Sequence, residues 1–247
     1  MLVRLAEQKA TGALLRDTGT LYLANGAVVH AESPATPGME SLLTGGGRLP
    51  VRIWQEAVEA AGADCRIARW LVDHHRLGAG ELEISQLGAV YDAAFFVLAP
   101  SGGPSRFRHG VRHWFGSLRS VPVPALERET RRRRALLEAL WPCPRLDTAP
   151  VVVRRGAVAR LPPAPRRQAA VLDLADGVRT ASVISGLLGR PAFHTLVDLR
   201  RLAARGYVET PVEAAAGPGP AVPWFRDIAR DADDALLHRL RDALEHL

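Results

Sequence analysis

The chain has 247 residues, of which 47% are hydrophobic and 23% charged. That is the balance of an ordinary globular protein long enough for two domains. No apolar run reaches the roughly 18–20 residues of a membrane span, and MLVRLAEQKATG lacks the apolar core of a signal peptide, so a soluble cytoplasmic protein without a membrane partner is expected. The formal charge of +6 is unevenly spread: residues 1–100 and 212–247 each carry −3, whereas 101–147 and 148–211 each carry +6, so only the middle of the chain is suited to a polyanion.

Leu2, Leu5 and Ala6 predict a short first helix within residues 1–10. The stretch TGALLRDTGTLYLANGAVVHAES follows, with strands expected over Ala13–Arg16, Thr20–Leu23 and Ala27–Ala31. Asn25-Gly26 joins the last two, because both central positions of a type I′ turn need positive φ. Leu21 and Leu23 alternate with Tyr22, which predicts one buried face on a three-stranded antiparallel meander. Pro37-Gly38 opens a helix over Met39–Leu43, and Gly45-Gly46-Gly47 stops it. No Lys-Ser/Thr follows those glycines, so they are not a phosphate loop.

Three helices are then expected: Val51–Ala61, Cys65–His75, and one from Gly80 to about Leu98 carrying Leu82, Leu87, Val90, Ala94, Phe95 and Leu98. The matching positions Thr11-Gly12, Leu21 to Leu23, Gly26, His30-Ala31 and Gly38 with Leu42-Leu43 resemble the PATAN domain. So does the succession LVDHHRLGAGELEISQLGAVYDAAFFVL before Phe107-Arg108-His109-Gly110. The resemblance covers Leu2 to Arg119. It implies a bacterial signalling module that binds a protein partner and does no chemistry.

The histidines are weak ligand candidates. His30 sits at a strand end, where closing a turn explains it. His74 and His75 point apart on a helix. His109 and His113 have a glycine between them and no carboxylate or cysteine nearby in sequence. Cys65 and Cys143 match no metal or redox spacing and read as free thiols in a reducing compartment. No cofactor, metal site or catalytic group is expected, since nucleophile elbow, zinc-helix and phosphate-loop patterns are all missing.

Val123–Trp141 is expected to be helical, with Leu126, Leu136, Leu137 and Leu140 as its apolar stripe. Its run Arg131–Arg134 suits either a solvated face with i, i+4 pairs or a polyanion-facing helix. Six prolines between Pro142 and Arg167 mark a basic linker whose Val151-Val152-Val153 can add a strand to either neighbour. Three helices follow, over Arg166–Ala175 with Gly177 as C-cap, Ala181–Leu188 capped by Thr180, and Pro191–Ala204. Tyr207–Thr210 then starts a strand, and the pattern resembles winged helix-turn-helix domains. EAAAGPGPAVP offers no second wing strand.

The expected fold class is therefore α+β. A PATAN-like meander with helices spans residues 1–141, a Pro/Arg-rich linker spans 142–165, and a winged-helix-like domain with an extra amphipathic helix spans 166–247. The resemblance implies a third helix in the major groove, with His194 and Thr195 near base edges and Arg201 and Arg205 on bases or phosphates. Arg166, Arg167 and Arg190 join them as candidate DNA contacts. Asp198 lies on the same face and would repel phosphate unless paired with Arg201 or a cytosine amino group. Trp224–Leu247 reads as a last helix, suited to packing on its own domain or to homodimerisation. Two functions stand open: a transcription regulator that binds DNA, and a signalling adaptor whose winged helix binds protein.

Overall fold

A computed structural model describes residues 1–45, 47–100 and 103–211. The expected helix over Trp224–Leu247 and the ground beyond the wing lie outside the described residues. After α1 (Leu2–Glu7) the chain forms β1 (Gly12–Arg16), β2 (Gly19–Ala24) and β3 (Ala27–Glu32). Asn25 and Gly26 have φ of 48° and 78°, so the Asn-Gly pair makes the left-handed turn expected of it. Helices α2 (Met39–Thr44), α3 (Val51–Ala61), α4 (Ile67–Asp73) and α5 (Ala79–Val97) lead to β4 (Ser105–His109). The α4 helix is shorter than expected at both ends because Cys65 before it and His75 after it take positive φ of 56° and 53°.

The first sheet has the order β3-β2-β1-β4 and is antiparallel throughout. Gly12 lies opposite His109, and a Cβ there would stand 2.1 Å from the Arg108 carbonyl oxygen. Glycine is thus the residue that lets β1 and β4 pair at this register. One face of the sheet buries Leu14, Leu21, Leu23 and Val28 against Val90, Ala93, Ala94 and Val97 of α5 and Leu126 of α6 (Val123–Leu140). Each such side chain contributes roughly 1.5–3 kcal/mol when fully buried. The other face carries Tyr22 and His30, which are cross-strand partners. A second core joins α2 to α5 around Trp54, Leu71 and Phe115.

Past α6, the proline-rich stretch contains α7 (Arg145–Thr148), β5 (Pro150–Val153) and α8 (Ala157–Arg160). Next come α9 (Arg166–Leu172), β6 (Asp176–Thr180), α10 (Ala181–Leu187), α11 (Ala192–Ala204) and β7 (Val208–Glu209). The three valines do form a strand: β5 lies between β6 and β7 in an antiparallel sheet. The first of these helices ends at Leu172, short of Ala175, and Gly177 is not its C-cap but part of β6. Asp176 explains the change: its Oδ1 accepts from the amides of Val178 and Arg179 at 2.9 Å and turns the chain into β6. Thr180 does cap α10, its hydroxyl accepting from Val183 N–H.

Met1–Pro211 forms one compact unit. Phe95 of α5 and Leu137 of α6 share a core with Val171, Ile184, Phe193, Leu196, Leu199, Leu202 and Tyr207. No helix among the described residues is long and apolar enough to cross a membrane.

Candidate functional site

The helix expected to read DNA is a core element. Of α11, Ala192, Phe193, Thr195–Arg200, Leu202 and Ala203 are buried. Its N-terminus is closed by a residue 100 positions earlier in the chain. Asp92 of α5 is 1% exposed and accepts from Ala192 N–H at 2.7 Å and from Phe193 N–H at 2.8 Å. The carboxylate thereby satisfies two amides that helix geometry leaves open, and it sits at the positive end of the helix dipole. Burial pushes the Asp92 carboxyl upward in pKa, while those two amides and the Arg133 guanidinium pull the other way. Arg133 stands 3.9 Å from Asp92 and 4.5 Å above the Phe193 ring, and it is also held by Glu129 at 2.9 Å and the Tyr91 carbonyl at 3.1 Å.

The candidate DNA contacts are dispersed by this packing. Thr195 is 0% exposed, and its hydroxyl has no hydrogen-bond partner among the described residues. It lies in the interior, not at a surface. Arg166 is exposed and makes no ion pair among the described residues. Arg167 and Arg190 both turn to the buried Asp198, at 2.9 Å and 3.7 Å. Asp198 is thus paired by Arg167 of α9 and by Arg190 before α11, not by Arg201. His194, Arg201 and Arg205 remain at the surface.

These last three line a groove of about 550 Å³ between α9 and α11, together with Arg167, Gln168 and Asp198. Leu136, Phe193 and Val197 supply apolar wall. Partial burial lowers the His194 pKa, and the nearby Arg167 and Arg133 guanidiniums lower it further. The imidazole is therefore neutral at physiological pH, and the positive charge of the groove comes from arginine. Gln168 is buried at its edge, with an amide oxygen that has no partner among the described residues.

A second polar assembly lies on the sheet. His30, Glu32 and His113 place one potential ligand atom each within 4.8 Å of one another. Neither the i, i+4 spacing of His109 and His113 nor the strand-end position of His30 foretold it. His113 Nε2 donates to Glu32 Oε1 at 2.8 Å, and Tyr22 donates its hydroxyl to Glu32 Oε2 at 3.1 Å. On the other side of the ring, Phe115 N–H donates to His113 Nδ1 at 3.2 Å. His30 is 2% exposed and stacks on His113 with centroids 3.6 Å apart.

Those hydrogen bonds decide what the cluster can do. With Nδ1 accepting from a backbone amide, the neutral ring carries its proton on Nε2 and offers no lone pair there. A histidine ligand normally donates from its second nitrogen; here a fixed N–H occupies that place. The donor set is thus that of a zinc site, but the geometry does not fit one. Burial takes His30 down to about 3 in pKa, so it is neutral at physiological pH. The His113 hydrogen bond lowers the Glu32 pKa, and burial, followed by Glu32, pushes Tyr22 up to about 12. Cys65 lines a neighbouring pocket of about 650 Å³ with His113, but both ring nitrogens of His113 are already engaged, so it is no base for the thiol.

Two further buried charges escaped the sequence reading. Arg200 lies on the apolar side of α11 and clamps Asp147 of α7 with Nη2 contacts of 2.7 and 2.8 Å, while also donating to the Leu137 and Trp141 carbonyls. Asp92, inside the apolar stretch of α5, gave no sign of its distant partner. No family model matches the chain, and no curated protein or solved structure matches it.

Proposed function

We propose that this chain is a non-enzymatic regulatory protein that works by binding a protein partner, the adaptor alternative of the sequence reading. The observation that carries this is the burial of α11. Helix-turn-helix readers present the N-terminal residues of their second helix to base edges, whereas here Asp92 closes that end and Thr195 points inward. The non-enzymatic half is supported by the sheet cluster, the strongest acid–base candidate among the described residues, where Glu32, His113 and Tyr22 are engaged with one another. The PATAN resemblance of Leu2 to Arg119 points the same way, towards an interaction module.

The DNA reading rests on Arg166, Arg201 and Arg205, which are exposed and cationic. Titrating a labelled random duplex across salt separates the two. The protein-binding reading expects only weak, sequence-independent association, with Kd no tighter than about 10⁻⁶ M and steeply lost with salt. Tighter binding that His194→Ala or Thr195→Val abolishes would establish α11 as a reader and overturn the proposal.

A further inference from the structure

We infer that the groove between α9 and α11 is a docking site for an acidic peptide segment of a partner protein, one that also carries an apolar anchor residue. This rests on the reading that the chain acts by binding protein.

Charge complementarity selects the sign of the occupant. Asp198 at the base of the groove is buried and held by Arg167 and Arg190. Its charge is therefore answered from within. Arg201 and Arg205 line the same groove, are exposed and have no ion-pair partner among the described residues. Arg205 caps the C-terminal end of α11 one turn after Arg201, about 6 Å further along the axis at 1.5 Å per residue. An extended peptide repeats on one side every two residues, about 6.6–6.8 Å. Carboxylates at alternate peptide positions thus match the two guanidiniums, each of which presents a fork suited to a carboxylate.

The apolar lining selects a peptide over a phosphate backbone. The wall formed by Leu136, Phe193 and Val197 is apolar, and a side chain lying on it would be removed from water. Phosphates and sugars offer little to such a surface. The volume, about 550 Å³, is within the range of sites that hold one large side chain and its flanking backbone.

The test is a selection from a displayed library of random dodecapeptides on the full chain, with Arg201→Glu/Arg205→Glu as the comparison protein. Both arginines are exposed, so the double variant is expected to fold, which its thermal melt checks. The inference expects enriched sequences with Asp or Glu at alternate positions beside Leu, Phe or Trp. Synthetic versions should bind the double variant about tenfold or more weakly. Replacing their carboxylates by amides, or their apolar residue by Ser, should each weaken binding to the parent chain.

Peptides that enrich without acidic residues, or that bind parent and variant alike, overturn the groove assignment while leaving a protein partner elsewhere on the chain. Failure of any peptide to enrich overturns it also. A random duplex that binds tightly, and needs Arg201 and Arg205 to do so, overturns both the groove assignment and the protein-binding reading beneath it.

Discussion

Two polar assemblies in this protein use the same residue types to opposite ends. On the sheet, Tyr22, Glu32 and His113 spend their hydrogen bonds on each other and on the Phe115 amide, with His30 stacked beside them. Around α11, Asp198 is likewise paired, but Arg201 and Arg205 are left facing a groove. In the first assembly Glu32 and His113 are fully engaged and only the buried Nδ1 of His30 lacks a partner among the described residues; the second has charge to spare and belongs to the surface. A histidine, a carboxylate and an aromatic ring do not make a site by proximity. What distinguishes a site is capacity left over once the internal partners are counted.

That contrast predicts that closed polar groups control stability and open ones control binding. The largest effect belongs to a closed pair. Arg200→Met should cost about 3–5 kcal/mol in denaturant unfolding, because it strands Asp147 without its bidentate partner. A cost below about 1 kcal/mol would mean that the pair is relaxed and solvated. Next, Glu32→Gln should cost about 1–2 kcal/mol, since it weakens two hydrogen bonds to a charged acceptor. Peptide binding in the groove should be untouched.

Third comes pH. His30 is held neutral in the fold, with its pKa down to about 3 from an ordinary 6.5. Below the ordinary value the unfolded chain takes up a proton that folded His30 refuses, so the unfolded state binds more protons and stability falls as pH falls. The expected slope approaches about 1.4 kcal/mol per pH unit between 6.5 and 3. Thermal melts over that range should show it, and His30→Gln should reduce it, leaving the part that the lowered His194 pKa adds. Glu32, whose pKa is lowered, adds its own loss only below its ordinary value of 4.5, so the interval from 6.5 to 4.5 excludes its main contribution. A parent and variant with the same slope there would show that His30 is solvated.

The smallest effect separates interior from surface on a single helix. Thr195→Val should leave stability unchanged or raise it by about 0.5–1 kcal/mol, because a buried hydroxyl without a partner is removed. Arg201→Glu/Arg205→Glu should shift the melt little and weaken groove binding about tenfold or more.

Much of the fold was legible where the signal is local. Asn25-Gly26 placed the hairpin, Thr180 placed a cap, and Leu21 and Leu23 showed which face of β2 is buried. Periodicity also found α11, but it ranked the helix by polar spacing and so set Asp198 among exposed groups. The partners that bury Asp198 come from Arg167, 31 residues away, and from Arg190 across the turn. Asp92 and α11 are 100 residues apart, and Glu32 and His113 are 81 apart. Pairing over such separations leaves no periodic trace in one sequence. Gly177 misled for a different reason: a glycine there suits a helix end as well as a turn into a strand, and the two amide hydrogen bonds to Asp176 chose the latter.

The claim on which the rest depends is that the N-terminus of α11 is closed within the fold. Amide hydrogen exchange at Ala192 and Phe193 measures it directly. With both amides bonded to buried Asp92, exchange should proceed only through unfolding that also releases the central amides of α11, and Asp92→Ala should accelerate it selectively at these two positions. Exchange at the rate of an open helix end in the parent protein, while the centre of α11 stays protected, would contradict the account and restore α11 as a helix whose first turn is available to DNA.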